Sequence, residues 1–233
     1  MPWSGKRISA TALVIGSMAP DFEFFFRMRA ETDISHTWQG AVLFDLPVTL
    51  LVAFAYHGWI RRPLLTNLPL FLQKRVSVFD AFDWTTYVWK HWLAVLLSAM
   101  LGIASHFFCD AFTHAYGWFV HRIPVLTANF AFFGKNVPLF HDLQYLSSLV
   151  MGLVLVLVLY RLPKQKLSPA KGAPTLFWGA ATGVFLIVLA IRFAVTDKVI
   201  AGDDIIMSIM GCGIIAVVLV ASAFRIKQPS SLP

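Results

Sequence analysis

The sequence predicts an all-α membrane protein, a polytopic bundle of about five to six transmembrane helices. Of its 233 residues, 58% are hydrophobic and 13% are charged, whereas soluble domains carry about a quarter charged residues. Mean hydropathy is +0.71, and several apolar runs reach the roughly 20 residues that an α-helix needs to cross a bilayer. This composition excludes a soluble globular domain, a disordered chain and a disulfide scaffold.

Five apolar runs are long enough to span the hydrocarbon core: 40–58, 92–112, 145–160, 175–195 and 205–224. A sixth run, 8–26, is interrupted by Pro20, Asp21 and Glu23. We expect it to form either a broken span or a shorter segment that enters the bilayer and bends. The chain has no internal repeat or low-complexity tract, and we expect one integral membrane domain over residues 1–233.

Loops rich in Lys and Arg alternate with loops that hold few of them. Most of the 19 cations lie at the two ends of the chain and in the loops 59–91 and 161–174. The positive-inside rule then predicts six crossings with both termini cytoplasmic, provided that 8–26 crosses. We therefore expect the inner (plasma) membrane as the location and the lipid bilayer as the partner. The segments expected to face outward are 27–39, 113–144 and 196–204.

The formal net charge of +7 reflects this topology rather than nucleic-acid binding. No Lys/Arg cluster lies on a polar segment large enough to form a DNA-binding module. Cys109 and Cys212 lie inside apolar runs without CxxC or Cys/His spacing, so we predict packing residues rather than a disulfide or a thiolate zinc site. The nucleophile-elbow, P-loop and dinucleotide-binding motifs are also absent from the sequence.

The strongest chemical motif is Ser105–His114, at the end of the run 92–112. His106, Asp110 and His114 stand at positions i, i+4 and i+8, within an arc of about 80° on an α-helix. One helix face thus carries two imidazoles and a carboxylate, a donor set that divalent metals use. The alternative is that His106 and Asp110 hydrogen-bond each other to tie helices together, with His114 in the interface.

Further residues of the metal-ligand type come out near the same membrane face under this topology. Asp21 lies toward the outer end of 8–26, while His36 and His141 each directly precede a later span. Polar residues at membrane depth are costly and are functional candidates. The sequence therefore predicts a metal site at the outer face with five ligands: Asp21, His36, His106, Asp110 and His141.

Two nearby residues are candidates for catalysis itself. Glu23 would be a general base beside a water that the metal activates, or else an exposed interface residue. His114, on the helix face of His106 and Asp110, is the second candidate.

Four other polar or small residues point to helix packing. We interpret Asp45 and Arg192, both inside apolar runs, as an intramembrane structural ion pair. The glycines of 211–214 predict close helix packing.

The segments GSMAPDFEF (residues 16–24) and SHFFCDAFTH (residues 105–114), with His36 between them, resemble a family of bacterial membrane proteins. This is the domain of unknown function 4184 family, and the resemblance covers residues from about 8 to 220. More distantly, the P-D and H-x-x-x-D motifs look like those of inner-membrane proteins assigned, by prediction, as metal-dependent hydrolases. The resemblance implies Asp21, His36, His106 and Asp110 as the core of the site, with His114 and His141 less closely matched.

One departure from that family lies at the amino end. Its members often begin M-P-F-T-x-x-H-P, whereas this chain begins MPWSGK. Either the ligand that this histidine would supply is lacking, or the recorded start is internal.

We therefore expect an integral-membrane, metal-dependent hydrolase that uses zinc. A water activated by the metal and deprotonated by Glu23 or a spare carboxylate would attack an ester or phosphoester. The site would lie beneath the aromatic loop 113–144, which contains Trp118, Phe130, Phe132 and Phe133. This location predicts a lipid or lipid-linked substrate.

Two alternatives remain open at this point. A small transporter could use the same cluster for translocation, although the apolar stretches 93–101 and 151–159 argue against an ion pathway. A purely structural role would use the histidines and aspartates only to tie helices together.

Overall fold

The computed structural model describes residues 7–79, 82–132, 135–166, 172–196 and 202–226. Nearly all the regular structure in these ranges is helical, which confirms the predicted all-α class. The helices are α1 Ala10–Gly16, α2 Phe22–Arg27, α3 Trp38–Thr66, α4 Leu70–Val76, α5 Trp84–Thr113, α6 Pro124–Thr127, α7 Leu139–Arg161, α8 Pro174–Ala194 and α9 Gly202–Ile226. A short antiparallel hairpin joins α6 to α7 and is formed by β1 Asn129–Phe132 and β2 Lys135–Pro138.

Five helices, α3, α5, α7, α8 and α9, are long and apolar enough to cross a membrane. The chain is therefore a multi-pass membrane protein. The runs 40–58, 92–112 and 145–160 lie within α3, α5 and α7, and the last two runs fall on α8 and α9. The single domain over residues 1–233 stays a prediction, because both ends of the chain lie outside the described residues. Phe133 of the aromatic loop also lies outside them.

The first apolar run is broken into α1 and α2 by a 3-10 turn, Ala19–Asp21. The Ser9 side chain accepts a hydrogen bond from Ala12 N and so caps the start of α1. Pro20 has no backbone N–H to continue the helix. Met28 ends α2 in the left-handed region, with φ 52°. The break leaves Asp21 in the turn between the two short helices.

Helices α1 and α5 cross with their backbones in contact. A Cβ on Gly16 would meet the carbonyl oxygen of Ala99, and a Cβ on Gly102 would meet the carbonyl oxygen of Leu13 and the amide of Ser17. Small residues permit this approach in membrane helices, where packing rather than hydrophobicity drives association. The crossing fixes the end of α1 against the half of α5 that carries the His/Asp motif.

Helix α3 contains two π-helical turns, Ala41–Asp45 and Tyr56–Ile60. Each turn lies just before a proline, Pro47 or Pro63. Proline lacks an N–H and its ring clashes with the carbonyl four residues earlier, and a π-turn relieves both problems.

Helix α9 packs against α8 and against α2. Phe177 and Phe224 meet edge to face, with ring centroids 5.2 Å apart. A Cβ on Gly211 would be 2.5 Å from the carbonyl oxygen of Phe25, so the predicted close packing is confirmed there, whereas Gly213 faces open space. Cys212 is fully buried beside this contact.

One residue of α5 and the whole of α7 are less buried than a closely packed bundle would make them. Cys109 is exposed on α5, so its prediction as a packing residue was wrong. Helix α7, which lies wholly within the described residues, has no buried residue. Near its carboxyl end, Arg75 donates a hydrogen bond to the carbonyl oxygen of Tyr160 at 3.2 Å.

Candidate metal centre

Three separate segments bring ligand atoms together at one end of the bundle. Asp21 comes from the 3-10 turn, His36 from the loop before α3, and His106 from α5. One ligand atom from each of these residues lies within 4.8 Å of the other two. These three residues therefore form a group that could hold a metal ion.

Asp110, one helical turn after His106, places a second carboxylate beside the two histidines of this group. Its Oδ2 lies 3.2 Å from His106 Nε2 and 3.4 Å from His36 Nε2. Asp21 Oδ1 lies 3.6 Å from His106 Nε2 and 3.9 Å from His36 Nε2. The Asp21 side chain is 39% exposed and the other three are 12–13% exposed. The group is thus open to its surroundings at Asp21.

The tautomer of His106 is set by the end of α1. His106 Nδ1 lies 3.0 Å from the carbonyl oxygen of Ser17. Ser17 follows the last residue of α1, where carbonyls have no partner within the helix. Since a carbonyl only accepts, Nδ1 carries the proton and a neutral His106 turns the lone pair of Nε2 toward the carboxylates. Both His106 Nε2 and Asp110 Oδ2 are buried without a hydrogen-bond partner.

Asp110 is held from its other side by His114. His114 Nδ1 lies 3.3 Å from Asp110 Oδ1, and the Gln144 amide nitrogen lies 3.2 Å from His114 Nε2. An amide NH₂ only donates, so Nε2 accepts and the proton stays on Nδ1, which lies 3.1 Å from Thr113 Oγ1 and 3.3 Å from Asp110 Oδ1. Burial lowers the pKa of His114, against the opposing effect of Asp110, which favours this neutral form. Tyr116 stacks on His114, with ring centroids 5.3 Å apart.

The loop that carries His36 is fastened by Glu23. The Glu23 carboxylate accepts backbone N–H bonds from Asp33 at 3.0 Å, Ile34 at 3.1 Å and Ser35 at 2.8 Å. It also pairs with Arg27 at 2.9 Å. Both oxygens of Glu23 are therefore used, and the side chain is almost fully buried.

The His36 ring is fixed by its own neighbours. Ser35 Oγ lies 3.0 Å from His36 Nδ1, which leaves Nε2 for the site. The rings of Phe24 and Phe107 lie 5.2 and 6.3 Å from the His36 ring, centroid to centroid.

Helices α8 and α9 fasten the start of the same loop. Arg192 Nη2 and Ser208 Oγ both donate to the carbonyl oxygen of Met28, at 3.0 and 3.2 Å. Asp204 Oδ1 accepts from Ala30 N at 2.8 Å. The predicted Asp45–Arg192 ion pair is wrong, because Arg192 is used at Met28 and both Asp45 oxygens lack a partner.

The structure thus brings together Asp21, His36, His106, Asp110 and His114, and leaves two of the predicted residues apart from them. Glu23 lies behind His36 and contacts its loop rather than its ring. His141 lies in the first turn of α7, where its ring meets Tyr145 and its buried Nδ1 has no partner. A ligand role for His141 stays a prediction.

Sequence reasoning missed three supporting groups. Tyr116 lies beyond the helical motif, and only the turn after α5 brings its ring onto His114. The Ser17 carbonyl has no side-chain signature at all. Gln144 is visible as a polar residue near the start of a span, but its contact with His114 depends on how α7 docks against α5.

Replacing Glu23 with glutamine is expected to destabilise the protein by about 1.5–3 kcal/mol, since hydrogen bonds to a buried charged group are worth that much. The cause would be loss of the charge that holds the backbone at 33–35. Thermal unfolding in detergent, compared with the exposed control Glu31→Gln, measures the effect. Equal melting temperatures for the two variants would mean that Glu23 does not hold this loop.

A family-model comparison matches residues 1–224 to the domain of unknown function DUF4184. No curated protein and no solved structure matches the chain.

Proposed function

The chain belongs to the DUF4184 family, whose description states no activity, and from the geometry of its site we propose that it is an integral-membrane, metal-dependent hydrolase. The ligands would be Asp21, His36, His106 and Asp110. His114 is assigned to the support of Asp110, and His141 remains a further candidate ligand.

The observation that carries this proposal is the spacing of the unpaired ligand atoms. Ligands at about 2.0–2.2 Å from a tetrahedral ion are about 3.3–3.6 Å from one another. The His–Asp distances of the site run from 3.2 to 3.9 Å. In the neutral tautomer that Ser17 imposes, the His106 lone pair faces carboxylate oxygens, and two acceptors at such a distance need a cation between them. That cation is either a proton on His106 or a metal ion.

Zinc suits this donor set best. Imidazole nitrogens and carboxylate oxygens are its usual ligands outside thiolate sites. The hydrogen bond from His106 Nδ1 to the Ser17 carbonyl also matches the outer contacts of metal-binding histidines, which orient the ring and fix its tautomer. When bound, zinc supplies a Lewis acid that polarises an ester or phosphoester and activates water near neutral pH.

The proton acceptor is assigned to the carboxylates of the site rather than to Glu23. Both Glu23 oxygens already accept backbone hydrogen bonds from the loop, so neither is available to accept a proton from water. Asp21 is the more exposed carboxylate of the site and is open to a water or substrate. His114, through Asp110, would adjust the charge of the site without touching the substrate.

The surroundings of Asp21 and His36 support a proposal for the substrate class. Trp38 is 79% exposed and meets Phe107 edge to face beside His36. Phe24 packs against another side of the His36 ring. Such an aromatic border suits the membrane interface. We assign a lipid or lipid-linked ester or phosphoester as substrate, at the outer face of the inner membrane. Both termini are cytoplasmic in this assignment if the broken segment of α1 and α2 crosses the bilayer in addition to the five long helices.

Metal content per chain after mild detergent purification tests the proposal. The natural protein is expected to hold close to one zinc per chain, and His106→Ala and Asp110→Ala are expected to hold almost none while remaining monodisperse. His121→Ala, an exposed histidine of the outer loop, is the matched control and should keep its zinc. Zinc binding would justify a screen of phosphoester and lipid-ester hydrolysis. Absence of metal from every variant, even after reloading, would reject the hydrolase and favour a site that only ties helices together.

A further inference from the structure

Asp45 is a buried carboxylate for which the structure provides no partner. Its side chain is fully buried, and neither oxygen has a hydrogen bond. Thr49 donates to the backbone oxygen of Asp45 and not to the carboxylate. The neighbouring residues Ala41, Leu46 and Val48 pack into the apolar core between α2, α3 and α5. The side chain therefore lies within the apolar core of the bundle.

An unpartnered carboxylate in such a place must be neutralised. Removing an ionised carboxylate from water without a compensating charge is strongly unfavourable, and the group takes up a proton or faces a cation instead. Arg192, the cation expected from the sequence, is used at the Met28 carbonyl. Within the described ranges no Lys or Arg forms an ion pair with Asp45.

The charged groups that act on Asp45 are three residues of the metal centre and Glu23, which holds the loop of His36. From the elements packed around it, these are His36 in the loop before α3, His106 on α5, Glu23 on α2 and Asp21 in the 3-10 turn. Asp45 occupies the last position of the π-turn Ala41–Asp45, and π-turns inside α-helices are frequent at functional sites. Asp45 thus lies near the centre electrostatically without belonging to its ligand group.

We propose that Asp45 carries a proton when the centre holds no divalent cation and releases it when such a cation binds. The inference rests on the proposed metal site. A divalent charge at His36 and His106 stabilises the carboxylate form of Asp45 across the low-dielectric core. The O–H bond of the carboxyl group breaks, the proton passes to the solvent, and the carboxylate charge remains to balance the ion. Asp45 therefore does not bind the metal itself, and its negative charge balances the charge of the bound ion.

Proton release per zinc bound tests this exchange directly. Calorimetric titration of the full chain with zinc in two buffers of different ionisation enthalpy gives the number of protons released. Asp45→Asn is expected to release one proton fewer per zinc than the natural protein. Each released proton makes the zinc affinity increase tenfold per pH unit, so the pH dependence of the affinity should be weaker by that factor in the variant. Asp203→Asn, an exposed acid at the start of α9, is the matched control and should release as many protons as the natural protein.

Two outcomes separate this inference from the proposed function. If the natural protein binds no zinc, both the proposed function and the proton exchange at Asp45 are refuted. If it binds zinc and Asp45→Asn releases the same number of protons, only the exchange is refuted.

A stability measurement covers the case of a poorly folding variant. Because Asn needs no proton to be neutral, metal-free Asp45→Asn is expected to melt at or above the natural temperature, as is Asp45→Leu. Failure of both variants to fold would contradict the inference, because it would show that the core requires the carboxyl group itself.

Discussion

Replacing Gly102 with alanine is expected to destabilise the protein by on the order of 3 kcal/mol, at the upper end of overpacking effects. The added Cβ would overlap the Leu13 carbonyl oxygen and the Ser17 amide. Both are backbone atoms, which cannot rotate away as a side-chain end could. Helix α1 would have to move off α5, and the Ser17 carbonyl would move away from His106 Nδ1 with it. Melting temperature and zinc content, measured on the same preparation, should therefore fall together.

The matched control is Gly152→Ala on α7. A Cβ at Gly152 meets nothing within 4 Å, so the change should be neutral or slightly stabilising, as alanine is a better helix residue than glycine. Similar melting temperatures for the Gly102 and Gly152 variants would show that the crossing of α1 and α5 is looser than described.

The zinc affinity of the site is expected to fall by different amounts when a ligand and when a supporting residue is removed. His36→Ala removes a nitrogen that lies 3.4 Å from Asp110 Oδ2, and a loss of more than about 100-fold is expected because a supporting contact alone is worth about 10–100-fold. His114→Ala removes only the partner of Asp110 Oδ1, and a loss within that range of about 10–100-fold is expected. Competition with a chromogenic chelator measures both constants.

The order of the two effects is what identifies the ligands. The exposed His121→Ala variant sets the baseline for loss of an imidazole. A larger loss for His114→Ala than for His36→Ala would make His114 a ligand and would remove His36 from the proposed ligand set.

The elements that were predictable from the sequence are those encoded by local patterns. Each long apolar run indicates a helix by itself, because crossing hydrocarbon requires about 20 apolar residues whatever the neighbours are. The face shared by His106, Asp110 and His114 follows from helical periodicity alone, and the structure keeps the three residues in contact through Asp110.

The remaining features depend on which segments become neighbours, and no local pattern encodes that. Arg192 looked like the partner of Asp45 because both are charges inside apolar runs, yet it binds the carbonyl of Met28, whose left-handed conformation turns that carbonyl aside. Glu23 looked like a base because acids near metal sites often are, but its backbone partners lie 10 to 12 residues further along the chain. Both contacts arise from tertiary packing.

The order of the ligands along the chain has a consequence for biosynthesis. All four proposed ligands, from Asp21 to Asp110, lie at or before α5, so a nascent chain has the complete set once its α5 has entered the membrane. What arrives later is the fastening of the loop before His36, by Arg192, Asp204 and Ser208 of α8 and α9. Since the chain is synthesised from its amino end, the ligands can gather first, and the last two helices then secure an arrangement already made.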